Sequence, residues 1–103
     1  MKIFYLNNRI SNFIDQLDSD SIRVLTKGFD MLRARGQDLR MPHSKSIGNG
    51  LFELRLWSNP PIRAIFGFRN DNVLVVHIFF KKTMRIPKHE IDYAVGLWKS
   101  IVA

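Results

Sequence analysis

Hydrophobic positions fall into two periods along the chain, one helical and one extended. Ile10, Phe13, Ile14 and Leu17 stand at i, i+3, i+4 and i+7, which predicts a helix from Asn8 to Leu17 with one apolar stripe. Asp18 to Asp20 interrupt the stripe and offer capping oxygens for a second helix. In that helix Ile22, Leu25, Phe29 and Leu32 repeat the spacing, while Arg23, Lys27, Asp30 and Arg33 point away. Gly36 is placed to end it in a left-handed cap. The pair reads as a helical hairpin with one apolar face in need of a sheet.

The sheet follows from the period-two stretches. From Leu51 to Trp57, Phe52, Leu54 and Leu56 share one face, and Glu53, Arg55 and Trp57 the other. After the turn Ser58-Asn59-Pro60-Pro61, residues 62–69 alternate again, with Ile62, Ala64, Phe66 and Phe68 opposite Arg63, Ile65, Gly67 and Arg69. Asn70-Asp71-Asn72 turns the chain into Leu74 to Phe80, which is apolar on both faces apart from His77 and so reads as a central strand. Residues 3–6 predict a short edge strand, and residues 37–50, punctuated by Pro42, Gly48 and Gly50, a loop. Pro87 and Glu90 suit the start of a last helix, whose stripe is Ile91, Ala94, Val95, Trp98 and Val102. The expected fold is a single α+β domain over 1–103, a helical hairpin packed on a twisted antiparallel sheet with a C-terminal helix.

Parity then places chemistry. Facing the apolar side of the strands toward the helices puts Arg55 and Arg63 on the opposite, open face. Which lysine joins them depends on the hairpin register. A three-residue loop, Asn70 to Asn72, pairs Arg63 with Phe79 and brings Lys81 to that face; a two-residue loop, Asp71-Asn72, brings Lys82.

Charge sharpens this picture. The net charge is +7, and residues 40–89 hold nine basic and two acidic side chains, so the whole excess lies in the middle of the chain. A segregated excess points to a polyanion such as nucleic acid; a solvated basic face is the plainer alternative. There is no cysteine, which excludes thiolate chemistry and disulfides and suits a reducing cytoplasm. MKIFYLNNR is too short in apolar residues for a signal peptide, and no run is long enough to span a bilayer. No metal-ligand or cofactor motif occurs: His43, His77 and His89 are scattered, and Gly48-Asn49-Gly50 is a turn rather than a phosphate loop.

An open face with two arginines and a lysine is suited to a phosphate. Arginine grips it bidentately and lysine neutralises charge building on it. Trp57 and Phe79 are the nearby aromatic candidates for stacking on unpaired bases. Such a face could cut RNA without a metal, by letting the 2′-hydroxyl attack the neighbouring phosphate. Each residue also has a structural reading. Arg55 can pair with Glu53, Trp57 can pack, His77 can be a hydrogen-bonded core histidine, and Lys81 and Lys82 can guard a strand end.

The strings Gly50-Leu51-Phe52-Glu53-Leu54-Arg55, Ile62-Arg63-Ala64-Ile65-Phe66 and Val76-His77-Ile78-Phe79-Phe80-Lys81-Lys82-Thr83, followed by Pro87, Glu90, Ile91 and Ala94, resemble the RelE/HigB-type toxins, most closely a phage-derived branch. The resemblance covers nearly the whole chain and implies an α+β fold and the toxin of a toxin–antitoxin pair. It implies a metal-independent mRNA endoribonuclease acting on the ribosome and neutralised by a helix-turn-helix antitoxin. Arg55, Arg63, Lys81 and Lys82 match its catalytic positions. Lys45, Trp57, His77, Phe79, Thr83, Arg85 and Lys88 are the candidates for RNA contact. The chain departs from the pattern at Met84-Arg85-Ile86-Pro87, and Tyr5 and Tyr93 are its only tyrosines, so the general base is open among His77, His43 and a lysine. Two alternatives remain: a non-nucleolytic toxin that inhibits a protein such as gyrase, and an inactive module that binds antitoxin or RNA.

Overall fold

A computed structural model describes residues 1–102. The elements run β1 (Ile3–Tyr5), α1 (Asn8–Asp15), α2 (Ser19–Arg35), one tight helical turn (Gly36–Asp38), β2 (Ser44–Gly48), β3 (Leu51–Leu56), β4 (Ile62–Arg69), β5 (Asn72–Phe80) and α3 (Lys88–Val102). Five strands form one sheet in the order β1-β5-β4-β3-β2. The fold is α+β as expected, and the sheet is mixed: β2 to β5 are antiparallel neighbours, whereas β1 joins β5 in parallel.

The helical hairpin forms as its spacing dictates. The Asp18 carboxylate accepts from Ser21 N–H at 2.8 Å, and this bond holds its pKa below the usual carboxylate value. Gly36 closes α2 with φ 54° and donates its N–H to the Leu32 carbonyl. The stripes of α1 and α2 bury Ile10, Leu25, Phe29 and Leu32 against Leu54, Leu56, Ile62, Ala64, Phe66, Val73, Val75 and Ile78 of the sheet.

The other sheet face carries a second, smaller core. Ala94 and Trp98 of α3 pack on Leu51, Ile65, Val76 and Phe79. Gly67 makes room for this: a Cβ there would lie 2.5 Å from the Trp98 ring. The face expected to be open is therefore half covered, and only its end near Arg55 and Lys81 meets solvent.

Two further features differ from the sequence reading. The stretch 37–50, expected as a loop, contains β2. SKSIG lacks strand alternation, and its strand state comes from pairing with β3 through the turn Asn49-Gly50, where φ is 58° and 79°. The β4–β5 turn is neither of the two loops expected. It is Asn70-Asp71, with φ 53° and 63° and Arg69 paired to Asn72. A bulge in β5 at Val76, between the pairs Phe66–Val75 and Ile65–His77, then shifts the register by one. The shift leaves Arg63 opposite Phe79, and Lys81 comes to the arginine face as the longer loop would have required.

Candidate functional site

The open end of the sheet is organised by an acid. Arg55 and Arg63 are directly opposed across β3 and β4, which alone would put two like charges side by side. Glu53, nearly buried, lies between them: its Oε1 is 2.7 Å from Arg55 Nε and 3.3 Å from Arg63 Nε. Arg63 is the deeper of the two, with its side chain 7% exposed against 25% for Arg55. It also donates from a terminal nitrogen to the Ile62 carbonyl at 3.1 Å, while its Nε has no hydrogen-bond partner. Burial pushes the Arg63 pKa down, Glu53 opposes that and Arg55 adds to it; guanidinium basicity still leaves the group charged.

Around this triad runs a groove of about 330 Å³. Lys45, Arg55, Lys81 and Arg85 bring four cations to it, and Glu53 the one acid. Lys45 faces Glu53 across the β2–β3 ladder, so the strand that the sequence concealed supplies one wall. The Lys81 N–H donates to the Pro61 carbonyl at 2.8 Å, carrying the β4–β5 ladder one step past the strand end. Beyond it Thr83 Oγ1 donates to the Arg85 carbonyl and folds the loop that holds Arg85 over the groove. Arg55 spends only Nε on Glu53, and its terminal nitrogens have no partner among the described residues. They point the site toward an oxyanion, which a guanidinium can grip through two N–H groups.

Other candidates lie elsewhere. Lys82 alternates away from Lys81 and lines a separate cleft, of about 750 Å³, between α1, β5 and the start of α3. His77 and Phe79 border the same cleft but are 4% and 7% exposed, so neither offers a free ring face. His77 Nε2 lies 3.2 Å from Glu90 Oε1, and its ring packs on Phe79 and Tyr93. Burial lowers its pKa more than Glu90 raises it, which keeps the ring neutral near pH 7. His77 is thus the hydrogen-bonded core histidine of the two readings. Trp57, 53% exposed, leaves the arginine face at the end of β3 and meets His43 edge-on at 5.5 Å, beside an apolar pocket bounded by Val24 and Met31 of α2. Lys88 is exposed and pairs with Asp92 at 3.2 Å. Among the described residues no three His, Asp or Glu side chains gather as metal ligands, and no helix is long and apolar enough to cross a membrane.

Residues 12–99 match the family described as Phage derived protein Gp49-like (DUF891). The chain belongs to this Gp49-like family. The family is RelE-like and toxin-like, and a toxin implies an antitoxin partner. No curated protein matches the chain.

Within this Gp49-like chain, Glu53 is the site residue that sequence reasoning undervalued, as a mere partner of Arg55. An acid flanked by Leu54 and Phe52 in a strand, two residues before an arginine, is a signal for a buried charge cluster. Nothing in the sequence singles out Arg9, Asn12 and Gln16. They form the polar flank of α1, which in sequence looks like any solvated helix face, yet they border the Lys82 cleft.

Proposed function

We propose that this Gp49-like chain is the toxin of a toxin–antitoxin pair and acts as a HigB-like, metal-independent mRNA endoribonuclease that blocks translation on the ribosome. The observation that carries the reading is the groove in which Lys45, Arg55, Lys81 and Arg85 converge around a glutamate-held arginine pair. Four cations against one acid favour a dianionic, five-coordinate phosphate over its monoanionic ground state, which is the direction catalysis requires.

In the proposed reaction the 2′-oxygen of a ribose bonds to the adjacent phosphorus, and the bond from phosphorus to the 5′-oxygen breaks. The products are a 2′,3′-cyclic phosphate and a 5′-hydroxyl end. Arg55 would bind the non-bridging oxygens through its terminal nitrogens. Lys81 would sit closest to the growing charge, with Lys45 and Arg85 holding the flanking phosphates. Arg63 acts from beneath by fixing Glu53, and Glu53 fixes the plane of the Arg55 guanidinium. The 2′-hydroxyl proton would pass to solvent at the open groove, because His77 is buried in the neighbouring cleft and His43 lies against Trp57, and the departing 5′-oxygen would take a proton from the Lys81 ammonium, which solvent then restores.

The test is 5′-end mapping of cellular transcripts after brief induction of the chain and of Arg55→Ala. New 5′-hydroxyl ends inside coding regions, absent with Arg55→Ala, are the expected result, and a phase relative to codons would indicate presentation by the ribosome. Growth arrest with unchanged transcript ends would overturn the nuclease reading and favour a protein target such as gyrase. No arrest and no new ends would leave an antitoxin-binding or RNA-binding module.

A further inference from the structure

Lys81 and Lys82 are adjacent in sequence but serve opposite sides of one wall. The segment from Lys81 into the first turn of α3 separates the arginine groove from the larger cleft: Lys81 and Ile91 line the former, Lys82 and Glu90 the latter. The larger cleft sets polar side chains around an apolar lining that includes Phe13, Ile78 and Phe80. Arg9, Asn12 and Phe13 of α1 and its C-cap residue Gln16 stand at i, i+3, i+4 and i+7 and so present one row of side chains to it. Asn12, Gln16 and Lys82 are exposed, and their side chains have no hydrogen-bond partner among the described residues. Arg9 is held above the Tyr93 ring at 4.9 Å and donates to its hydroxyl at 2.9 Å. The one acid in the cleft, Glu90, is already engaged by His77 at 3.2 Å and lies 3.7 Å from His89.

The backbone adds to this row. Because Lys81 N–H bonds to Pro61 and the antiparallel ladder alternates, Ile78 and Phe80 turn their peptide groups away from β4. On that side β1 pairs only with Val73 to Val75, so these groups meet the cleft rather than another strand. The cleft thus combines two unpaired primary amides, unpaired peptide groups, a phenylalanine edge and two cations, separated from the phosphate groove by a single thickness of chain. Amides and peptide groups are what proteins use to read the edges of unstacked bases, and cations hold the accompanying phosphate.

We propose that this cleft binds an unpaired RNA nucleotide next to the phosphate held at Arg55, with Asn12 and Gln16 reading the base edge and Lys82 and Arg9 holding its phosphate. Its link to cutting rests on the endoribonuclease reading; its binding does not. Asn12 and Gln16 are then specificity-determining residues, and Lys82 a sequence-independent contact.

The experiment uses the full chain, Asn12→Ala/Gln16→Ala and Lys82→Ala, with short single-stranded RNA oligonucleotides of differing base composition as probes. Affinity is read by fluorescence anisotropy over a salt series, and cut sites by end mapping on the same RNAs. All substituted positions are exposed, and thermal unfolding checks that the fold is kept. Wild type should favour one base by about tenfold or more, the double variant should flatten that preference, and its remaining cuts should spread over other sequences. Lys82→Ala should weaken all sequences alike and lower the salt slope by about one phosphate contact. Binding without base preference in wild type, or an unchanged preference in the double variant, overturns the proposal. So does loss of antitoxin binding with RNA affinity intact, which would give the cleft to a protein partner. If wild type binds selectively but never cuts, the cleft assignment stands and the nuclease reading falls.

Discussion

Replacing Glu53 by glutamine should cost the fold more than any single loss of a surface charge. Glu53 is 8% exposed in its side chain and touches two guanidinium groups through one oxygen, at 2.7 and 3.3 Å. Removing one partner of a buried ion pair typically costs about 3–5 kcal/mol, because a buried charge is left uncompensated. Glutamine keeps a carbonyl oxygen for Arg55, and Arg55 is partly solvated, so the lower end, about 3 kcal/mol, is expected. Directly opposed Arg55 and Arg63 would then repel without a mediator. For a domain of this size each kcal/mol moves the melting temperature by roughly 4–8 °C, so the shift is large on a calorimeter and equally visible as a lowered urea midpoint. The reasoning also predicts a rescue. Arg63→Met in the Glu53→Gln background removes the stranded charge and should recover stability, whereas Arg55→Ala in the same background should recover less, because Arg55 reaches solvent. A Glu53→Gln protein within about 0.5 kcal/mol of wild type, the range of ordinary surface substitutions, would refute the triad as a structural unit.

The remaining predictions concern other parts of the molecule. Gly67→Ala places a Cβ 2.5 Å from the Trp98 ring and should destabilise by about 1–3 kcal/mol through overpacking, with Trp98 fluorescence reporting the displaced indole. The His77 ring should stay neutral below the ordinary histidine pKa of about 6.5, as an NMR pH titration of its ring protons would reveal. Since that pKa is depressed in the folded state, the unfolded chain binds the extra proton first. The His77 contribution to stability is therefore complete above about pH 6.5 and is lost as the pH falls through the folded value; His77→Gln should remove that slope. Under the nuclease reading Arg55→Ala should lower the cleavage rate by about a hundredfold to a thousandfold with the fold retained, measured on a defined RNA in single turnover.

Much of the arrangement was legible in the residues, and the parts that were not share a cause. The helical hairpin, β3 and β4 declare themselves because each has an apolar face that only one period satisfies, and β5 because it is a short run apolar on both faces that follows a turn signal. Arg55 and Arg63 could be put on one face from parity alone, since alternation leaves them nowhere else. β2 escapes because its strand state is imposed by its neighbour: Gly48-Asn49-Gly50 reads as a turn, but Ser44 to Gly48 before it carry no pattern of their own that would make the turn a hairpin. The bulge at Val75 to His77 escaped because a stretch apolar on both faces does not show where its parity changes. Two shortfalls of register cancelled there, a turn one residue shorter than the longer loop and one extra residue in the strand, so Lys81 reached the arginines by a route the sequence did not display.

The same logic explains why the site's organiser and its neighbouring cleft were hidden. A glutamate in a strand has no visible burial until the strand on each side is placed, and here β2 on one side and the arginine of β4 on the other decide it. Arg9, Asn12 and Gln16 acquire meaning only because β1 stops at Tyr5 and α1 crosses over the end of β5 that β1 leaves unpaired. Both features arise from where short elements end rather than from which residues they contain. In this fold the long elements make the cores, and the chemistry collects where the short ones stop. Lengthening β1 past Tyr5 would therefore close the cleft by pairing the peptide groups of Ile78 and Phe80, whereas removing β2 would open the arginine groove and strand Glu53 in solvent, where its hold on the pair would weaken by dielectric screening.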